Sequence, residues 1–409
     1  MKGKTAALAA ILALGGLPLL APPAQGQAQA PRELNLSRDE RNALNALQAA
    51  AAGADRAAQD SALAAARTVA RGADAHYGVA HYQFEIGRAR GDVAMQVQAI
   101  DALVNSGVAQ PGELPGLLAH QAGRAFSGGD FERTDRLLER MLAVQPNNPI
   151  VLADYGQLKA RRGQRAEAVT YLQRAIAAQE ATGRPAPEGW HLRALALAFD
   201  GRMAPQSIVA ARGLVAAYPS PVNWRDGLLV YRELSNPDPA LDLDARRLMR
   251  AASALAGERD YLEFAEALNR ASLFGEAKAV LDEGISRNML EAAKPIVAQA
   301  MTAASRRAAA DRATLPRLRT QAQAGATGAP ARTGADAHFA FGQYGEAAEL
   351  YRLALQKGGE DSNLVNFRLG ASLALAGRRP EAEAALRTVT GPRADLAGFW
   401  LAWLARRPG

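Results

Sequence analysis

The chain has 409 residues, with 48 Lys and Arg against 41 Asp and Glu for a formal charge of +7, and it contains no cysteine. Its length exceeds what one compact core organises, so several domains or one elongated repeat array are expected. The lack of cysteine excludes disulfides, thiolate zinc sites, a lipid-anchored cysteine and a cysteine nucleophile together, while arginine dispersed among acids argues against a nucleic-acid partner.

Ala, Leu, Arg, Glu and Gln, all strong helix formers, dominate the composition, and β-branched and aromatic residues are too sparse for a large sheet. The expected fold class is all-α. At the N-terminus, Lys2 and Lys4 precede an apolar run from Thr5 to Leu20, and Pro18, Pro22 and Pro23 stand before small residues. Residues 1–28 therefore read as a signal peptide, cut after Gly26 or Ala28, and the product as exported, periplasmic or secreted. The competing reading, an uncleaved anchor, meets a run that is short and Gly- and Pro-rich at its far end. No later stretch reaches the roughly 18 apolar residues of a membrane span, so no transmembrane segment is expected in the mature chain.

Residues 29–70 read as an N-terminal tail and capping helices. Ser37 followed by Glu40, then Leu44 and Leu47, is the pattern of a capping box opening a helix. From 71 to 286 helix pairs recur, most clearly over Pro149 to Ala178. There Leu152, Tyr155 and Gly156 precede Gly163, and Ala168, Leu172 and Ala175 follow at i, i+4 and i+7 on one helical face. Two helices that cross closely need small residues at the crossing, here Gly156, Ala168 and Ala175, and large ones beside it. Gly163 sits where the chain reverses. The spacing recurs: Gly129 and Gly163 are 34 apart, Trp190 and Trp224 are 34 apart, and Gly342 and Gly377 are 35 apart, with Ala347, Tyr351 and Ala354 in phase.

This arrangement resembles the tetratricopeptide repeat family over residues 115–234 and 335–389, with weaker units at 76–107 and 258–286. The resemblance implies an α-solenoid, a right-handed superhelix of antiparallel helix pairs whose first helices line a concave groove. Carried onto this chain, the groove would present Phe126, Gln157, Arg161, His191, Phe199, Arg225 and Arg232 among small residues such as Ala119 and Ala153. An extended peptide or a helix fits such a surface. Arg225 and Arg232, seven apart on one helix face, could grip carboxylates or phosphates, or else pair with neighbouring acids such as Asp226 or Glu233.

Residues 287–334 depart from the pattern. Glu291 to Arg319 is Ala- and Arg-rich and helical in character, and Gln321 to Gly334 reads as a Gly/Ala/Thr loop. The segment is either a hinge or part of one continuous superhelix. Residues 335–409 return to repeats and end in a helix carrying Phe399, Trp400 and Trp403, expected to cap the last exposed face.

No catalytic, cofactor or metal site is expected. His76 and His81 are i, i+5 and so lie on different helix faces, without a carboxylate at ligand spacing. No nucleophile elbow, phosphate loop, dinucleotide fingerprint or His-Glu-x-x-His occurs. The functional expectation is a non-catalytic scaffold or adaptor of the cell envelope that binds a protein or peptide. The alternatives are a self-associating structural protein forming a homo-oligomer and, behind it, a helical accessory domain of a peptidoglycan- or polysaccharide-processing system.

Overall fold

The computed structural model describes residues 33–110 and 112–405, and the expected signal segment 1–28 lies outside them. Among the described residues every regular element is helical. Packing divides the chain into two units, one running through Trp190 and one beginning at His191, so the contacts split the run 71–286 that the sequence treats as one array.

The first unit holds α1 (Arg38–Ala51), α2 (Arg56–Val69), α3 (Ala73–Arg90), α4 (Val93–Asn105), α5 (Leu114–Ser127), α6 (Phe131–Val144), α7 (Pro149–Arg161) and α8 (Arg165–Glu180), each packed on the next. Side chains that accept from orphan amides fix where these helices begin: Asp55 for α2, Asp92 for α4, Asp130 for α6 and Asn148 for α7. Gly91, Gly129 and Gly163 reverse the chain within α3/α4, α5/α6 and α7/α8 at φ of 66°, 78° and 75°, where a side chain would be strained. A Cβ on Gly156 would lie 2.9 Å from Leu172 Cγ, and Ala168 has no exposed surface. Ala168→Leu is therefore expected to cost about 1–3 kcal/mol by overpacking, measured by urea denaturation. No change would place Ala168 off the crossing.

The expected capping box is present. Ser37 Oγ accepts from Glu40 N, and Glu40 accepts from Ser37 N at 2.9 Å, from Arg71 N at 2.9 Å and from Gly72 N at 3.2 Å. Glu40 thus ties the start of α1 to the α2–α3 turn. The Arg71 amide foremost, then Ser37 and Gly72, hold its carboxyl down at about 2. Because the folded value lies below the ordinary one, the stabilisation is complete above about pH 4.5 and is lost as pH falls toward 2. The melting-temperature gap between the wild type and Glu40→Gln should be widest at neutral pH and close toward pH 2. A gap independent of pH would remove the carboxylate from this role.

In the second unit the helices are α9 (Glu188–Asp200), which spans the boundary, α10 (Ala204–Ala217), α11 (Pro221–Ser235), α12 (Pro239–Ala251), α13 (Gly257–Arg270) and α14 (Phe274–Ser286). Then follow α15 (Pro295–Arg312), α16 (Leu315–Ala324), α17 (Ala329–Ala340), α18 (Tyr344–Lys357), α19 (Ser362–Leu375), α20 (Arg379–Arg387) and α21 (Ala394–Ala405). The left-handed turn persists without glycine at Arg202, Asn236 and Ser272, and with it at Gly342 and Gly377. Gly201 is not the left-handed residue of its turn.

The expected loop over 321–334 is corrected: α16 runs to Ala324 and α17 starts at Ala329, so only residues 325–328 connect them. The glycines that suggested a loop serve close packing. Gly328 N donates to Gly358 O at 2.8 Å, and a Cβ on Gly328 would collide with the carbonyl oxygens of Ala354 and Gly358. Lys357 closes the end of α16, its ammonium donating to the carbonyls of Ala322, Gln323 and Gly325 at 2.8, 2.7 and 2.5 Å.

The C-terminal helix does more than cap the last repeat. α21 packs on α19 and α20 and also on α10, while Phe399 meets the rings of Trp224 and Tyr231 on α11 at 6.3 and 5.9 Å. Trp403 Nε1 donates to Ala251 O of α12 at 3.3 Å. This unit is therefore closed on itself. Inside it, charges alternate: Glu276 and Asp244 both accept from Arg247, at 2.7 and 2.8 Å. Asp244 faces Arg368 at 3.7 Å, Arg368 donates to Asp336 at 2.8 Å, and Asp336 takes Arg332 at 3.2 Å and the Tyr351 hydroxyl at 2.5 Å. Burial opposes the charge of Arg247, but Glu276 and Asp244 outweigh it and hold its pKa well above the ordinary value. Burial, with Asp336 behind it, drives the Tyr351 phenol far upward.

Candidate functional site

The seven groove positions fall into both units. Phe126 is half-buried, its ring 5.8 Å from Phe131 in the cluster between α5 and α6. Gln157 is buried on α7, and Arg161 is exposed near the end of that helix. In the second unit, His191 is buried edge-on to Tyr218 at 5.8 Å, and Phe199 is half-buried.

Both guanidinium groups of α11 end on carboxylates. Arg225 pairs with Asp260 of α13 and also donates to Ala254 O at 3.4 Å. Arg232 pairs with Asp242 of α12, which also accepts from Arg246 at 2.9 Å. Burial would raise Asp242, and the two arginines overcome it and lower its pKa. The acids are thus Asp260 and Asp242, carried by following helices; Asp226 and Glu233, the chain neighbours, are not the partners of these arginines in the structure.

A recess that the sequence does not single out lies among α2, α3 and α4. Its volume is about 500 Å³, and Ala73, Val79, Ala80 and Ala102 form its apolar wall beside Arg67, His76, Gln83, Asn105 and Ser106. Arg67 is fixed by donating to Gln83 at 2.7 Å, and Gln83 in turn donates to Met95 O at 3.3 Å. His76 and Asn105 are exposed. The wall can cover an apolar side chain, and the rim offers donors and acceptors of both kinds to a backbone. One sequence signal was available: His76 near the start of α3 and Asn105 at the end of α4 are polar residues that an antiparallel pair brings to the same end.

On α7, Asp154 is half-buried and forms no ion pair among the described residues, and burial pushes its carboxyl up to about 7. Near neutral pH it can therefore donate a hydrogen bond as well as accept one.

No protein-family model and no curated protein matches the chain. Many solved structures are similar to it, and two of them serve as examples. One is a tetratricopeptide repeat protein from Parabacteroides merdae, 12% identical, with 72% of this chain and 100% of that chain covered and a TM-score of 0.28. The other is Naa15/Naa10 bound to HypK-THB, 14% identical, with 90% of this chain and 67% of that chain covered and a TM-score of 0.25. Antiparallel helix pairs, left-handed turns near every thirty-fifth residue and the Gly156–Leu172–Ala168 crossing are features of the chain itself. By that architecture it is an all-α solenoid of antiparallel helix pairs.

Proposed function

We infer that the chain is a non-catalytic scaffold of the cell envelope that holds a polypeptide partner. The observation that carries this reading is the recess among α2, α3 and α4, where an apolar wall stands beside exposed His76 and Asn105. A side chain set into the wall would supply affinity, and the rim would fix the direction of the peptide backbone. The envelope assignment rests on the basic and apolar N-terminus. The stacked helix pairs of the unit running through Trp190 suit the role because each is packed mainly on its neighbours, leaving faces available.

A photo-crosslinking residue placed at position 76 or 105 of the full chain, in the native envelope, tests the reading. A discrete polypeptide adduct is expected there and not from Thr170, an exposed position on α8. Equal adducts from all three positions, or adducts with saccharide or lipid alone, would defeat it. An adduct with a second copy of the chain would favour self-association instead.

A further inference from the structure

The dispersion of arginine expected from the sequence fails in one place. Over residues 292–335 there are seven cations, Lys294, Arg306, Arg307, Arg312, Arg317, Arg319 and Arg332, against the single carboxylate Asp311. That local surplus of six nearly equals the +7 of the whole chain. Lys294 pairs with Glu258, and Arg332 with Glu360. The remaining five arginines, all exposed on α15 and α16, form no ion pair among the described residues. Elsewhere in the same unit the arginines are neutralised in the alternating manner of Arg247 and Arg368.

Two of the five are already oriented. Arg307 lies over the Phe274 ring at 4.7 Å and Arg312 over Phe341 at 5.5 Å. A stacked guanidinium loses less rotamer freedom on binding and keeps its N–H edge available to a carboxylate. Beside Arg312 is a recess of about 460 Å³ whose wall includes Ala308, Ala309, Phe339 and Phe341. An anion next to an apolar group would satisfy both features at once.

We propose that the outer surface of α15 and α16 binds an acidic segment of a partner polypeptide, with an apolar residue beside its carboxylates seated in the recess at Arg312. Nucleic acid is disfavoured because the large apolar side chains exposed among the described residues are Val, Ile and Met, leaving bases no ring to stack on, and Phe274 and Phe341 are covered by arginine. A lipid surface is disfavoured because Ile296 is the one large apolar side chain exposed on these two helices, where an interfacial helix presents a row of them. The proposal rests on the reading that the chain binds polypeptides, but it uses a different surface.

The full chain is titrated by fluorescence anisotropy with a short glutamate-rich peptide carrying leucine at every fourth position. Polyglutamate of equal charge, single-stranded DNA and phosphatidylglycerol vesicles serve as comparisons. The mixed peptide should bind roughly tenfold more tightly than polyglutamate, since one buried leucine supplies that factor, and its affinity should fall with added salt. The variant Arg306→Glu/Arg317→Glu/Arg319→Glu, whose exposed side chains form no ion pair among the described residues, should lose on the order of tenfold or more in affinity while keeping its helical signal. Arg312→Gln should remove the preference for leucine over polyglutamate. Tighter binding of DNA or vesicles than of the peptide, no peptide binding, or undiminished binding by the charge-reversed chain would each overturn the proposal. Since crosslinking at positions 76 and 105 is read separately, failure here leaves the α2–α4 recess standing, and the reverse also holds.

Discussion

Truncating Trp400 to Ala should destabilise the unit beginning at His191 by about 3–5 kcal/mol, the range for deleting a large buried aromatic side chain. Trp400 is 1% exposed, its ring packs edge-on to Trp403 at 5.3 Å, and its helix touches both ends of the unit. The location of the damage is as informative as its size. In an open stack each pair is coupled to its neighbours, so a lesion in α21 would loosen α19 and α20 alone. Here α10, α11 and α12 lean on the same helix, so their amides should exchange faster as well. Hydrogen exchange with mass spectrometry reads this directly, and protection lost only in α19–α21 would make α21 an ordinary end cap.

An effect of similar size is expected from Arg247→Met, about 3–5 kcal/mol, because removing one member of a buried ionic cluster strands the others. Glu276 is 4% exposed and Asp244 2%, and both lean on this guanidinium. The sign of the pH dependence separates lost charge from lost packing. With Arg247 gone, the buried carboxylates of Glu276 and Asp244 lose their counter-charge, so the cost of the substitution should be largest at neutral pH and shrink in acid, where protonation neutralises them. Adding Glu276→Leu should restore part of the loss, and chemical denaturation of the two single variants and the double one measures the coupling. Equal cost at every pH would indicate that Arg247 acts through its stacking on Phe339 at 4.6 Å.

The helix pairs were legible in the sequence because close crossing imposes residue size. Gly156, Ala168 and Ala175 are small for a reason that recurs with the period, and the structure places each of them at the crossing or in the core. Turn positions were less legible, since Arg202 and Ser272 adopt the left-handed backbone that a glycine search cannot find. Gly334 misled in the opposite direction: it lies inside α17, while Gly325 and Gly328 do sit in the short connection before that helix. The partners of Arg225 and Arg232 were out of reach for another reason. Residues adjacent in a helix point apart, so Asp226 and Glu233 were poor candidates, while Asp260 comes near only through stacking of later helices. Closure by α21 had no local signature, because Phe399 and Trp403 look the same whether they cover one end of a stack or join two.

That closure also bears on how the protein is made. The Trp403–Ala251 hydrogen bond spans 152 positions in sequence. Helix pairs of the first unit can settle one after another as they leave the ribosome, because their contacts are local. The second unit cannot finish in that way. Trp224 and Tyr231 must wait, with their rings unpaired, until Phe399 has been synthesised. Through that interval the nascent chain presents an aromatic surface that a holding chaperone would recognise, and a stalled or shortened translation product would leave it exposed to aggregation.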